Sequence, residues 1–192
     1  MRPLLIYIHG FLSSSQSQKA QQVRDYIEAE KLPIDFIAPT LSNYPLASYQ
    51  QLQQLVEQHQ PCPVAVIGSS MGGFMATALV QQYGVRAVVI NPAIKPYHLI
   101  GAVLGQHTNP YTGVDFCLTT EHTDELRQLE VTTINEPEKI MVLLQTGDET
   151  LDYRHAVEYY RGCLQQVEEG GDHRFQHFDK HLPNIMKFLN VV

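Results

Sequence analysis

The residues Gly68-Ser69-Ser70-Met71-Gly72-Gly73 indicate the fold most directly, because they join a short apolar run to a longer segment with helical character. Residues 64–67 before it are apolar and mostly β-branched, and residues 74–83 after it are long enough for a helix. A G-x-S-x-G pattern in this setting predicts a sharp strand-to-helix turn that lifts the central serine above the sheet edge. We therefore expect Ser70 to be a nucleophile, whereas Ser69 has the wrong register relative to the glycines. A phosphate-binding turn is the alternative, but the lysine of a P-loop is absent.

Outward from this turn, short apolar runs alternate with longer amphipathic segments. The predicted strands are 4–8, 34–38, 64–67, 85–90, 140–144 and 174–178. The predicted helices are 13–31, 49–58, 74–83, 154–166 and 183–189. Continuous apolar strands that alternate with helices are typical of a parallel sheet covered on both faces. The sequence therefore predicts an α/β three-layer sandwich with a mostly parallel central sheet, as a single domain over residues 1–192.

The segment 95–138 interrupts this alternation. It has no strong strand signal and is rich in Gly, Pro, Thr, His and Tyr. A stretch of this length without sheet strands is often a lid or a binding excursion. We expect it to be a lid-like insertion that determines substrate selectivity.

The composition excludes several classes of partner. The formal net charge of −7 disfavours binding to nucleic acid or to an anionic membrane. The three cysteines, Cys62, Cys117 and Cys163, form no CxxC pair, so neither a disulfide framework nor a thiolate zinc site is expected. The apolar run 4–8 is too short for a membrane span and lacks a cleavage site. We expect a cytoplasmic protein without a targeting segment, a metal or a cofactor.

Candidates for an acid partner follow the predicted strand 140–144. Serine enzymes built on this kind of turn place their triad in the chain order Ser, Asp or Glu, then His. Asp148 is nearest the strand end and is the first candidate. Asp152 is the rival, although an aspartate at the start of a helix is often an N-cap. Glu149 is the third candidate.

Candidates for the base lie close to the end of the chain. His173 follows Gly170-Gly171, which would let a loop carry the imidazole over the strand ends. His177 and His181 are close rivals for the role of the base. Their alternative role is that of surface or hydrogen-bonded histidines without a part in catalysis. The spacing of the three histidines would also suit a metal site on one helical face, but the interleaved phenylalanines favour loop and strand there.

The first predicted strand leads into His9-Gly10-Phe11, where an oxyanion donor is expected. In this type of site one backbone N–H comes from such a loop and the other from the residue after the nucleophile. We therefore assign the oxyanion hole to Phe11 and Met71, and expect His9 to orient the loop by a hydrogen bond. Candidate walls of an acyl pocket, for which ordinary core packing is the alternative role, are Leu12, Tyr44, Phe74, Ile94 and Tyr97.

Over nearly its whole length the chain resembles the α/β-hydrolase superfamily, and more closely the small bacterial YqiA-like esterases. The matching stretches are Tyr7-Ile8-His9-Gly10-Phe11, Gly68-Ser69-Ser70-Met71-Gly72-Gly73, Asn91-Pro92-Ala93, Asn109-Pro110-Tyr111-Thr112-Gly113, Gln145-Thr146-Gly147-Asp148-Glu149, Leu151-Asp152-Tyr153-Arg154 and Gly170-Gly171-Asp172-His173. The resemblance implies a compact α/β-hydrolase fold and an esterase with Ser70, Asp148 and His173 as its triad. The chain starts directly at the strand before the oxyanion loop, so the strands that larger relatives place earlier are not expected.

The favoured hypothesis is a carboxylesterase or thioesterase that cleaves small acyl esters through an acyl-enzyme intermediate. Its partner would then be a small-molecule acyl ester or thioester. The same triad would also serve a lyase or a carbon–carbon bond hydrolase, because one fold hosts many chemistries. A non-catalytic binding protein on this fold is the remaining alternative, and an intact triad argues against it.

Overall fold

A computed structural model describes residues 2–191, so Met1 and Val192 lie outside the described residues. Its strands are β1 (Leu4–Ile8), β2 (Asp35–Ile37), β3 (Val64–Ser69), β4 (Arg86–Ile90), β5 (Gly105–Thr108), β6 (Asp115–Leu118), β7 (Ile140–Gln145) and β8 (Leu164–Glu168). Six of them form one sheet in the order β2-β1-β3-β4-β7-β8, and every neighbouring pair in it is parallel. The central sheet that the sequence predicts is therefore confirmed.

Helices cover both faces of this sheet. They are α1 (Gln18–Ala29), α2 (Pro45–His59), α3 (Met71–Tyr83), α4 (Tyr97–Gly101), α5 (Thr120–Gln128), α6 (Tyr153–Tyr159) and α7 (Leu182–Leu189). Short 3-10 turns occupy Pro137–Lys139 and Phe178–His181. Within residues 2–191, no helix combines the length and the apolar character that crossing a bilayer requires.

Strand β1 shows why the molecule has three layers. All five of its residues are buried, which is why they form an unbroken apolar run in the sequence. Leu4, Ile6 and Ile8 pack into a core that includes residues of α2, α3 and α6. Leu5 and Tyr7 point the other way, into a second core with α1 and α7. This alternation along one strand confirms the predicted three-layer α/β sandwich.

The order of the strands places one edge of the sheet at a topological switch point. From β1 the chain adds β2 on one side, and then β3 and β4 on the other. Ile8 at the end of β1 is paired with Gly68 near the end of β3, so the loops that follow these two strands meet. Ligands of open α/β sheets bind in the crevice at such a point. The fold thus brings the loop after Ile8 and the turn at Ser70 together.

The segment 95–138 contains α4, the hairpin β5–β6 and α5, and its two strands pair only with each other. Asn109 organises the tip of the hairpin, because its side-chain oxygen accepts the backbone N–H groups of Tyr111 and Thr112. Gly113 completes the turn with a φ of +69°. The hairpin is a local structure without a strong strand signal, since β5 and β6 are only four residues long each.

Two predicted elements near the end of the chain are wrong. The helix predicted over 154–166 ends with α6 at Tyr159, and Gly162 at φ +97° turns the chain into β8. β8 is an edge strand that pairs only with β7, and it is half exposed, so it lacks the apolar run that marks a central strand. The strand predicted over 174–178 is a turn region instead, in which Phe175 and His177 have positive φ.

Candidate active site

The turn between β3 and α3 holds Ser70 in a strained conformation, with φ 57° and ψ −119°. Such angles are rare for a residue with a side chain and are tolerated where the surroundings enforce them. Here the enforcement is close packing of backbone. A Cβ on Gly68 would lie 2.2 Å from the Gly72 carbonyl oxygen, and a Cβ on Gly72 would lie 2.1 Å from the Ile8 carbonyl oxygen. The two glycines that flank Ser70 in the motif are therefore required by the turn itself.

Ser70, His173 and Asp148 form a continuous hydrogen-bonded chain. His173 Nε2 is 3.1 Å from Ser70 Oγ, and His173 Nδ1 is 2.8 Å from Asp148 Oδ2. Because a carboxylate only accepts hydrogen bonds, Nδ1 carries the proton and Nε2 accepts from the serine hydroxyl. The Asp148 side chain is 2% exposed and that of His173 is 23% exposed. The carboxylate is thus sealed from water, while the imidazole remains reachable from outside.

The structure separates the three acid candidates. Asp148 Oδ1 also accepts the backbone N–H groups of Thr150 and Leu151, which fix the carboxylate beneath the imidazole. Asp152 instead caps α6 by accepting the backbone N–H of Arg154. The Arg154 guanidinium lies 2.6 Å from Asp152 Oδ2, and these hydrogen bonds lower the pKa of the Asp152 carboxyl to about 2. Of the two aspartates, only Asp148 contacts the ring.

Glu149 and the rival histidines lie apart from the hydroxyl of Ser70. The Glu149 carboxylate accepts the backbone N–H of His173 at 3.0 Å, so it supports the loop and does not touch the imidazole. His177 is exposed, and His181 is buried against Glu168, with 3.1 Å between Nε2 and Oε1. Among residues 2–191 no group of three or more His, Cys, Asp or Glu is arranged to hold a metal ion.

Two buried amides, to which the sequence assigns no role, hold the loop that carries His173. Asn91 is 2% exposed; its Nδ2 donates to the carbonyls of Asp172 (3.0 Å) and His173 (3.3 Å), and its Oδ1 accepts the Gln145 backbone N–H (3.0 Å). Gln145, 3% exposed, donates through Nε2 to the Gln176 carbonyl and accepts the Gln176 and Asp172 backbone N–H groups. Asn91 and Gln145 both fall within stretches that resemble the YqiA-like esterases, but nothing in those stretches indicates that their amides hold this loop.

The loop after β1 lies directly against Ser70. A Cβ added to Gly10 would be 3.2 Å from Ser70 Cβ, so a larger residue would press on the serine. His9 braces this loop: its Nδ1 is 2.9 Å from the Gly10 carbonyl oxygen, and its Nε2 accepts the Leu41 backbone N–H at 3.3 Å. Burial lowers the pKa of His9, which keeps the imidazole neutral with both nitrogens in use. Phe11 follows in the chain and lines the same side of the site.

The candidate pocket residues fall into three places. Leu12 and Tyr44 line a cavity of about 40 Å³ together with the proposed oxyanion residues Phe11 and Met71. The other two cavity-lining candidates, Phe74 and Ile94, border a separate cavity of about 10 Å³ against Tyr159 and Tyr160.

Tyr97 is the exception, because it lines neither of these cavities. It lies on α4, where its hydroxyl donates to the Glu130 carboxylate at 3.2 Å. The Arg127 guanidinium carbon lies 4.9 Å from the centre of its ring. Its polar contacts are therefore within the segment 95–138, and its ring is buried in the same core as β1 and α3.

Solved structures with the same fold include proteins named as hydrolases. The alpha/beta hydrolase domain-containing protein 10 from mouse superposes with a TM-score of 0.74 at 17% identity, covering 97% of this chain and 89% of the mouse chain. Est1E from Butyrivibrio proteoclasticus gives a TM-score of 0.71 at 15% identity, covering 98% of this chain and 85% of Est1E. These likenesses establish the α/β-hydrolase fold that the sequence predicts.

Sequence relatives match along their whole length. The UPF0227 protein of Serratia proteamaculans is 23% identical over 192 residues, which cover 98% of this chain and 99% of the relative. The UPF0227 protein YcfP of Salmonella arizonae is 24% identical over 199 residues, with the same coverage. A family model described as "Uncharacterised protein family (UPF0227)" matches residues 4–190. The chain thus belongs to the UPF0227 family of α/β-hydrolase fold proteins.

Proposed function

We propose that this protein is a serine hydrolase that cleaves small acyl esters or thioesters through an acyl-enzyme intermediate. One observation carries the proposal: the Ser70 hydroxyl lies 3.1 Å from an imidazole nitrogen whose opposite nitrogen is paired with a buried carboxylate. A nucleophile, a base and a group that orients the base, each within hydrogen-bond reach of the next, are the parts that acyl transfer requires. Ser70 lies at the switch point of the sheet, and the loop after the edge strand β8 brings the imidazole of His173 to it.

In the first half of the reaction, Ser70 Oγ attacks the carbonyl carbon while His173 Nε2 takes the hydroxyl proton. Asp148 holds the imidazole in the required tautomer and stabilises the cation that forms. The backbone N–H groups of Phe11 and Met71 donate to the oxyanion, and each such donor is worth roughly 10²- to 10³-fold in rate. His173 then protonates the leaving alcohol or thiol as the carbon–oxygen or carbon–sulfur bond breaks.

In the second half, water replaces the leaving group. His173 removes a proton from this water, which attacks the acyl-enzyme, and the proton returns to Ser70 Oγ as the carboxylic acid leaves. The proposed chemistry uses only side chains and backbone amides of the chain. Leu12, Tyr44 and Phe74 would contribute to the surface that receives the acyl group.

We also propose that residues 1–192 act as one α/β-hydrolase domain and that the segment 95–138 is its lid. Support comes from contacts of the hairpin with the oxyanion loop. The Phe116 ring packs edge-on against Phe11 and against Tyr44, with 6.2 Å between ring centres in both pairs. Asn109 Nδ2 donates to Asn43 Oδ1 at 2.8 Å, which adds a polar anchor beside these rings.

Labelling with a fluorophosphonate tests the nucleophile. The reagent should phosphonylate the wild-type protein with loss of fluoride and should leave Ser70→Ala unlabelled. Ser69→Ala is the matched control, because it removes the neighbouring hydroxyl and keeps the proposed nucleophile. Thermal unfolding of both variants establishes that they are folded. Labelling that persists in Ser70→Ala, or a folded wild-type protein that resists the reagent, would refute the proposal.

A further inference from the structure

A cavity of about 640 Å³ adjoins the proposed active site on the side of α4 and α6. This volume is within the range of small-molecule pockets, roughly 300–1,000 Å³. Its apolar walls come from the loop after β4, from α4 and from the segment around α6, and they are formed by Pro92, Ile94, Leu99, Leu151 and Tyr159. We call this feature the side cavity. No step of the proposed mechanism uses it.

The side cavity is tied to the catalytic chain by two backbone hydrogen bonds. Ala93, next to the wall residue Pro92, donates its N–H to the Ser70 carbonyl at 3.0 Å. Leu151, itself a wall residue, donates its N–H to Asp148 Oδ1 at 2.8 Å. The wall of the side cavity is therefore adjacent to the residues that carry the proposed nucleophile and the proposed acid.

The charges around the side cavity leave one cation without a partner. Asp152 is paired with Arg154 at 2.6 Å, and Glu158 is paired with Arg161 at 2.5 Å. Both acidic wall residues are thereby neutralised locally. Lys95 lines the same cavity and, within residues 2–191, forms no ion pair. It also has a φ of +52°, an unusual conformation for a lysine.

We infer that the side cavity binds the non-reacting part of the substrate, an apolar chain that ends in an anionic group held by Lys95. The inference rests on the proposed hydrolase function and names its substrate class: esters or thioesters with a negative charge away from the scissile bond. His98 and His155 also line the cavity and offer two further hydrogen-bond donors to an anion. Glu130 lines the adjoining smaller cavity together with Lys95, and its carboxylate already accepts the Tyr97 hydroxyl.

Matched pairs of esters test this inference. In the first pair the charge is on the acyl side: the mono-4-nitrophenyl ester of suberic acid against 4-nitrophenyl octanoate. In the second pair it is on the alcohol side: 3-(4-acetoxyphenyl)propanoate against 4-propylphenyl acetate. The quantity measured is the ratio of kcat/KM for the anionic ester to that for its neutral partner, after subtraction of spontaneous hydrolysis. The pair with the larger ratio shows which side of the ester enters the side cavity.

The wild-type protein should prefer the anionic ester of one pair by about fivefold, the selectivity expected of a solvent-accessible ion pair. Lys95→Met should bring that ratio close to one, and Lys95→Glu should invert it. High salt should also reduce the wild-type ratio, because accessible charges are screened. Lys187→Met, on α7 and remote from the cavity, is the control with an unchanged ratio.

Two failures are distinguishable. A wild-type protein that takes the fluorophosphonate and hydrolyses both members of each pair equally well would overturn this inference and leave the proposed function standing. A preference that survives in Lys95→Met would also overturn it. A protein that neither takes the label nor hydrolyses any of the four esters would overturn the proposed function, and this inference with it.

Discussion

Replacing Asn91 by alanine should loosen the loop that carries His173. The substitution removes the side-chain donor Nδ2 and the side-chain acceptor Oδ1, which together serve three backbone partners. The Gln145 N–H is buried and loses its acceptor altogether, whereas the carbonyls of Asp172 and His173 are in a partly exposed loop that water reaches. The damage to stability is therefore dominated by one orphaned N–H.

The expected loss is at least about 3 kcal/mol of unfolding free energy, because the contributions sum to roughly 3–5 kcal/mol. An orphaned buried N–H costs roughly 1–3 kcal/mol, and each carbonyl that exchanges a protein donor for water costs about 0.5 kcal/mol. Asn91 also has a φ of 39°, and a left-handed alanine adds about 1 kcal/mol of backbone strain. For a chain of this size, 3 kcal/mol corresponds to a fall of roughly 6–12 °C in Tm.

Urea unfolding of three variants separates these contributions. Asn91→Gly loses the same hydrogen bonds as Asn91→Ala but not the backbone preference, so it should be about 1 kcal/mol more stable than the alanine variant. Asn190→Ala is the matched control: Asn190 has a φ of 55° and is exposed at the end of α7, where only its backbone is hydrogen-bonded within the described chain. It should lose only the strain, about 1 kcal/mol.

Ester hydrolysis gives the second measurement. A base held less firmly should lower kcat by roughly 10- to 100-fold with a smaller change in KM, because misplacement by about 1 Å costs on the order of 10²-fold. The reasoning fails if Asn91→Ala is no less stable than Asn190→Ala, or if its kcat equals that of the wild-type protein. Either result would mean that other contacts position His173.

Three further predictions concern the turn, the oxyanion loop and the acid. Gly72→Ala should cost about 3 kcal/mol or more, since its Cβ would overlap backbone. Gly101→Ala on α4 should be neutral or slightly stabilising, because its Cβ would make an ordinary contact with Thr123 Cγ2 at 3.9 Å; thermal unfolding distinguishes the two variants. His9 has a lowered pKa in the folded protein, so its contribution to stability is complete above about pH 6.5 and is lost as the pH falls; His9→Gln should flatten that part of the stability–pH curve measured in urea. Asp148→Asn should lower kcat by roughly 10³- to 10⁴-fold, and equal kcat values for Asp148→Asn and Asp152→Ala would contradict the assignment. The Asp152 variant should chiefly lose the N-cap of α6, with a small decrease in unfolding free energy.

The turn at Ser70 was predictable because its requirements are local. Glycines two residues to either side, a β-branched run before and a helical segment after are all visible within a short window. The choice between Asp148 and Asp152 was not, because both follow β7 closely and only the direction of each side chain separates them. A sequence pattern does not contain that direction.

Other features escaped the sequence for different physical reasons. β8 is half exposed at the sheet edge, so its composition resembles that of an amphipathic helix. Asn91 acts on residues about eighty positions later in the chain, through backbone groups that any residue possesses. No residue type at those later positions therefore signals the contact. The side cavity likewise arises where α4 and α6 approach each other. The sequence of neither helix by itself indicates that a cavity forms there.

The strands β4 and β7 lie side by side in the sheet, although the hairpin and two helices separate them in the chain. The segment 95–138 therefore leaves the sheet after β4 and returns to it at the neighbouring strand β7. Insertions, deletions or replacement of residues within this segment need not disturb the register of the central strands. Ser70, Asp148 and His173 all lie outside the segment. Under the proposed function, exchange of the segment 95–138 would change which substrates are accepted and leave the proposed reaction unchanged.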